Sequence, residues 1–257
     1  MSSNLLVVEN LTVTVAQKEI VSAANLEIPF LSVTALVGGS GSGKTTMGLA
    51  VLRLLPLGLI VRQGRILFAG EDVLNLSEER MRLLRGKEIG MVFQEPLYAF
   101  NPVFSIGDQI AEVLRVHSAG NARRRRERIL ELLNLVGLPN PQSVAGNYPH
   151  QLSGGMRQRA MIAQAIAAGP KLIVADEPTS NLDVTLQAKI MELFRKLKDE
   201  LKLSILLITH DLGMVAHMAD RVAVMAEGEI VERGTTREVL ENPRHPYTRT
   251  LMEAIEV

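Results

Sequence analysis

The chain has 257 residues, 47% of them hydrophobic, which is enough to bury a full core as one globular unit that could carry an inserted subdomain. Its 28 Lys and Arg balance 28 Asp and Glu, so no global basic field draws in nucleic acid and any partner must be found by local chemistry. The lack of cysteine excludes disulfides, thiolate metal sites, iron–sulfur clusters and cysteine nucleophiles.

The opening MSSNLLVVEN has no basic region followed by a long apolar run, so no secretory signal is expected. LLVVENLTVTV, VSAANLEI and SVTALVGG then alternate and turn in the manner of strands, the first two forming an antiparallel β region. TTMGLAVLRLL carries a helical period. The apolar run LLPLGLIV is short and broken by Pro56 and Gly58, and no stretch approaches the roughly 18 apolar residues of a membrane span. From about Ser77 to Ala168 the pattern is mainly helical, as in SIGDQIAEVLRVH and RRRRERILELLNLVG, with IGMVFQ the last confident strand. This predicts a helical subdomain inserted at about 77–168. Arg123 to Arg126 open an amphipathic helix and read as its solvated face. KLIVAD and SILLITH are short and almost wholly apolar, as befits strands buried on both faces of a parallel sheet, and LQAKIMELFRKLKDELK lies between them as a helix. The fold class is therefore α/β, with ligands expected at the carboxyl ends of strands.

The run VTALVGGSGSGKTT places Gly38, Gly43, Lys44 and Thr45 in a G-x-x-x-x-G-K-[ST] phosphate loop, after a strand and before a helix. Gly38, Gly39, Ser40, Gly41, Ser42 and Gly43 would turn backbone N–H groups onto phosphate oxygens, with Thr46 following in the helix. Lys44 would reach the β- and γ-phosphates and Thr45 would hold Mg²⁺. LIVADE ends a strand in adjacent acids, so that Asp176 is assigned to Mg²⁺ and Glu177 to a water in line with the γ-phosphate. His210 ends SILLITH, where an imidazole can bond a γ-phosphate or orient the attacking water. Gln94 follows IGMVF, and its amide is assigned to Mg²⁺ or water. In QLSGGMRQRAMIAQAIAAGP, Ser153 is a good helix N-cap and Gly154 and Gly155 leave their N–H groups open to an anion. Met156 stands where a capping-box Glu or Gln would be.

Taken together these stretches resemble the ATP-binding subunits of ABC transporters over essentially the whole chain, with LSGGMRQR the most specific element. The resemblance implies that Gly38 to Thr45 is Walker A, LIVADE is Walker B, Gln94 sits in the Q-loop, SNLD from Ser180 to Asp183 is the D-loop and His210 is the switch histidine. It implies MgATP as ligand, with Asp183 among the nucleotide-binding residues, and that Ser153, Gly154 and Gly155 face the γ-phosphate of ATP held by an opposite subunit in a head-to-tail dimer. The tail N-P-x-H-P-Y-T-x-x-L, within about 234–257, and FQEPLYAFNP resemble the peptide and nickel importer branch. Expected partners are two transmembrane permease subunits, a second and related ATPase (or a second copy) and, indirectly, an extracellular substrate-binding protein, with the chain peripheral on the cytoplasmic face of the inner membrane. Tyr98, Phe100 and Asn101 are the candidate membrane-subunit contacts. The alternative is a soluble accessory ATPase of a phosphonate-breakdown type of enzyme complex; DNA-repair and translation ATPases of this class carry long coiled coils or fused second domains that this sequence lacks. Departures are Gly39 where many peptide-type members carry Glu, PFLS in place of a turn glycine before Walker A, no cysteine cluster behind the tail motif, and no aromatic near Val15 to stack on adenine.

Overall fold

The computed structural model describes residues 3–118 and 120–253. In chain order the elements are β1 (Asn4–Val15), β2 (Lys18–Pro29), β3 (Val33–Val37), α1 (Lys44–Val51), β4 (Leu59–Phe68), β5 (Glu71–Asp72), α2 (Glu78–Lys87), β6 (Ile89–Val92), α3 (Pro96–Ala99), α4 (Ile106–His117), α5 (Ala122–Leu135), α6 (Pro141–Gly146), α7 (Gly154–Ala165), β7 (Leu172–Asp176), α8 (Val184–Leu201), β8 (Ser204–Thr209), α9 (Leu212–Met218), β9 (Arg221–Ala226), β10 (Glu229–Thr235), α10 (Thr236–Glu241) and α11 (Pro246–Glu253). They divide into two compact units, one built from residues up to Met81 and from Lys202 onward, the other from Arg82–Leu201. Among the described residues no helix is long and apolar enough to cross a membrane.

In the first unit β1 pairs antiparallel with β2 and with β4, and β4 with β5. A second layer sets β3 between β8 and β9 as parallel neighbours, with β10 antiparallel to β9. Every residue of β3 and β8 is buried, the signature of strands covered on both faces. The β9–β10 turn places Glu227 and Gly228 at φ 47° and 89°, the pair of positive angles that a tight two-residue hairpin needs. Helix α1 stops at Val51, short of the apolar period that continues to Leu55. Arg53 takes φ 50°, its N–H bonds the Ala50 carbonyl and the Leu54 N–H bonds the Leu49 carbonyl, the paired closing bonds of a left-handed helix stop.

In the second unit β6 and β7 pair in parallel, Val92 opposite Ala175. Helices α4 to α7 pack on one another through Ile110, Leu114, Ile129, Leu132, Leu133 and Val144, all buried. Helix α8 buries Ile190, Leu193, Phe194 and Leu197, one stripe at helical spacing. Each such large side chain contributes about 1.5–3 kcal/mol by leaving water. Arg123, Arg124 and Arg126 are exposed on α5, and Arg123 pairs with Glu127 one turn on.

Candidate functional site

In the first unit, β3 ends at Val37 and residues 38–43 turn into α1. A Cβ at Gly38 would stand 2.1 Å from the Met225 carbonyl oxygen, and one at Gly43, where φ is +100°, would stand 2.6 Å from the Ile20 carbonyl oxygen. Only glycine fits either place. The loop is held from both sides: the Ser42 N–H donates to the Gly39 carbonyl at 3.3 Å, and the Gly228 N–H at the hairpin tip donates to the Ser42 carbonyl at 3.1 Å. Lys44 is buried, and its Nζ donates to the carbonyls of Gly38 and Gly39 at 2.9 and 2.8 Å and to Ser42 Oγ at 3.4 Å. Its charge therefore sits inside the loop. No side chain caps α1, so its first N–H groups and its dipole face outward beside that charge. Ser40, Gly41 and Thr45 are exposed, and Gly39 and Thr46 half-buried. A glycine-walled cradle with a buried cation and an uncapped helix start fits the phosphates of a nucleotide.

His210 leaves β8, whose Thr209 pairs with Val37, so it emerges beside this loop at the same end of the sheet. It is exposed, while the next residue, Asp211, caps α9 by accepting the Met214 N–H at 3.0 Å.

The remaining assigned residues lie in the second unit. Asp176 is the buried last residue of β7. Glu177 follows at φ 47°, a left-handed backbone rare for a non-glycine residue and the kind of local strain that functional carboxylates tolerate. Gln94 is exposed two residues beyond β6, the strand paired with β7. Next to it, Glu95 accepts Asn181 Nδ2 at 2.5 Å, which ties the segment after β6 to the segment after β7. Asp183 caps α8, its Oδ1 accepting the Leu186 N–H at 2.9 Å. Ser153 caps α7, its Oγ accepting the Met156 N–H at 3.3 Å. A Cβ at Gly155 would lie 3.2 Å from Leu186 Cδ1, so the SGG start of α7 is seated against α8.

Two of the three candidate membrane-subunit contacts stay on the surface. Tyr98 is 86% exposed and Asn101 is exposed, whereas Phe100 is 3% exposed and belongs to the core; the expectation for Phe100 is corrected. Leu97, Val103 and Phe104, not singled out from sequence, are exposed in the same segment as Tyr98. Val15 ends β1 partly exposed. The largest omission of the sequence reading is Tyr247. Its phenol oxygen accepts the Gly39 N–H at 2.8 Å across a separation of 208 residues that no local pattern reveals.

A glycine-walled phosphate loop between a buried parallel strand and a helix start defines a nucleotide-binding α/β protein. The chain belongs to the ABC transporter family: it matches that family over residues 21–180, and the oligopeptide/dipeptide transporter C-terminal region over residues 231–257. It is 50% identical over 222 residues to the oligopeptide transport ATP-binding protein OppD of Bacillus subtilis, covering 86% of this chain and 62% of that protein. It is 47% identical over 223 residues to the dipeptide transport ATP-binding protein DppD of Escherichia coli, covering 87% of this chain and 68% of that one. The chain thus spans about two thirds of the length of these curated relatives. Among solved structures it is similar to the dimeric bacterial ABC transporter cassette MJ0796 (TM-score 0.80, 28% identity, 90% of this chain and 99% of that chain). It is also similar to cbiO1 of Clostridium perfringens, part of the ABC transporter complex cbiONQ (TM-score 0.82, 28% identity, 100% of both chains).

Proposed function

We propose that this chain is an ATP-hydrolysing motor subunit of an importer for short peptides. The observation that carries this reading is the pairing, in one chain, of the ABC match over residues 21–180 with the oligopeptide/dipeptide C-terminal match over residues 231–257. The first supports an ATPase; the second supports a peptide importer above a nickel importer or a soluble accessory ATPase.

In this reading the loop from Gly38 to Thr46 takes the triphosphate of ATP, with Lys44 on the β- and γ-phosphates. Thr45, Gln94 and Asp176 would hold Mg²⁺, which when bound neutralises charge on the β- and γ-phosphate oxygens. Glu177 accepts the proton of the attacking water, and His210 orients the γ-phosphate or that water. Ser153, Gly154 and Gly155 offer the start of α7 to the γ-phosphate held by a facing ATPase subunit, related or identical, and Asp183 is a further nucleotide-binding residue. Support for a dimer comes from the similar cassette MJ0796, solved as a dimer and, in a second structure, as a dimeric post-hydrolysis state bound to ADP and Pi. Two permease subunits would receive the exposed face around Tyr98 on the cytoplasmic side of the membrane, and an extracellular binding protein would deliver cargo to them.

The test is to tag the chain in its native cell, solubilise membranes gently and identify co-purifying proteins by mass spectrometry. Two multi-span proteins and a second ATPase are expected, with peptide uptake lost on deletion. Soluble enzyme subunits without a membrane protein would overturn the importer reading.

A further inference from the structure

The peptide unit between Gly38 and Gly39 is gripped at both of its polar ends. Its carbonyl, on Gly38, accepts Lys44 Nζ at 2.9 Å, and its N–H, on Gly39, donates to Tyr247 Oη at 2.8 Å. With glycine on both flanks, this peptide plane has little steric resistance to reorientation. A flip would carry the Gly38 carbonyl away from Lys44 and leave the lysine the Gly39 carbonyl and Ser42 Oγ, so this one of its contacts is secured by whatever holds the N–H end. The phenol also covers Gly39 closely: a Cβ there would lie 3.1 Å from Tyr247 Oη.

Tyr247 is itself anchored. It packs on the buried cluster that includes Val37, the last residue of β3 before the loop, together with Val224 of β9, Val215 of α9 and Val239 of α10. Its N–H donates to His245 Nδ1 at 3.2 Å, and the N–H groups of Arg244 and His245 donate to the Glu232 carboxylate on β10 at 2.8 and 3.0 Å. The neighbouring Thr248 is fully buried. A side chain held in this way can hold another group in turn.

We infer that Tyr247 is a positioning residue for the phosphate loop: from the C-terminal helix α11 its phenol oxygen locks the Gly38–Gly39 peptide, and so keeps Lys44 and the loop preset for the nucleotide. The inference rests on the assignment of Gly38 to Thr45 as the ATP loop. Presetting lowers the ordering cost of binding, so its loss falls on affinity more than on chemistry.

The experiment compares the wild-type chain with Tyr247→Phe, which removes only the hydroxyl, and Leu251→Ala, which thins the same apolar contact without touching the loop. Binding of a fluorescent N-methylanthraniloyl-ATP with Mg²⁺, the KM and kcat of phosphate release, and the thermal midpoint without nucleotide are measured for each. One neutral hydrogen bond predicts about two- to tenfold weaker binding and a matching rise in KM for Tyr247→Phe, with kcat unchanged within about twofold. Its thermal midpoint stays within about 2 °C of wild type. Leu251→Ala shows the reverse, a fall of about 2–6 °C with unchanged affinity. Wild-type affinity in Tyr247→Phe, or an equal affinity loss in Leu251→Ala, overturns the positioning role alone. A wild-type chain that does not bind the nucleotide overturns it together with the loop assignment.

Discussion

Val37 and Thr209 stand opposite each other in the parallel pairing of β3 with β8, so the chain leaves both strands at one end and His210 emerges beside Gly38. The order of strands in the sheet thus brings together two groups 172 positions apart in the chain. In the proposed reaction the imidazole acts on the γ-phosphate or on water, not on nucleotide capture. His210→Ala is therefore expected to lower kcat by about 10²- to 10⁴-fold while ATP affinity changes little. Phosphate release together with nucleotide titration checks this; a loss of affinity with unchanged kcat would return His210 to a binding role.

Gly43 is the tightest test of the cradle. Its φ of +100° is unfavourable for any residue with a Cβ, and that Cβ would press on the Ile20 backbone oxygen at 2.6 Å. Gly43→Ala is expected to cost about 2–4 kcal/mol in unfolding free energy, or to relieve that cost by moving the loop and losing ATP binding. Denaturant unfolding and nucleotide titration, measured on the same variant, separate the two outcomes. Normal values in both would contradict the steric account.

Much of this was legible in the sequence, because the strands that carry the site are written as unbroken apolar runs and the glycines of the loop have few other uses. β4, β9 and β10 were not read. The first half of β4 faces solvent, which blurs its alternation, and the β9–β10 turn uses Glu227 with Gly228, not the Asn-Gly or Asp-Gly pair that announces a hairpin. Arg53 ends α1 in a left-handed conformation without the usual glycine, so nothing in the sequence marks the helix stop. Tyr98 and Phe100 look alike in a turn-rich stretch, and only packing separates the exposed ring from the buried one. Tyr247 was hidden for a different reason: its partner is a backbone N–H, and backbone groups leave no mark on residue identity.

Glu177 stands one residue beyond the buried Asp176, in a left-handed conformation that turns the chain sharply at the strand end. Adjacent acids with separate roles should separate under mutation. Glu177→Gln keeps shape and hydrogen bonding but removes the base, so hydrolysis is expected to fall by about 10²-fold or more while ATP binding persists. The variant should then accumulate as an ATP-bound dimer on size-exclusion chromatography. Unchanged steady-state hydrolysis would remove Glu177 from its role.

The anchoring of the C-terminal segment is expected to depend on pH. Burial pushes the Glu232 carboxyl up, but the nearby Thr248 hydroxyl, the N–H groups of Arg244 and His245 and the His245 ring outweigh it and hold the group below its ordinary value of 4.5. Its contribution is therefore complete above that value and is lost as pH falls through the lowered one in the folded chain. Glu232→Gln should remove this acid sensitivity and cost about 0.5–1 kcal/mol near neutral pH, since the group is largely solvated. Hydrogen exchange of residues 244–253 at pH 7 and pH 4 provides the measurement; equal protection in wild type at both values would refute the linkage.

The face around Tyr98 yields the prediction that reaches furthest toward transport. Leu97, Tyr98, Val103 and Phe104 are 48, 86, 71 and 51% exposed on α3 and the turn after it, large apolar side chains close together in the chain that a partner would cover. Replacing Leu97 and Tyr98 together with Ala removes apolar contact area without opening a cavity, so folding and ATP binding should hold while transport falls by about tenfold or more. Phe100→Ala cannot serve the same purpose. At 3% exposure its truncation is expected to cost about 3–5 kcal/mol of stability and to confuse lost coupling with lost folding. Peptide uptake in cells, measured beside ATPase activity of the purified complex, distinguishes the two variants: uptake lost with hydrolysis retained supports the contact, and full uptake in the Leu97 and Tyr98 double variant would place the permease elsewhere.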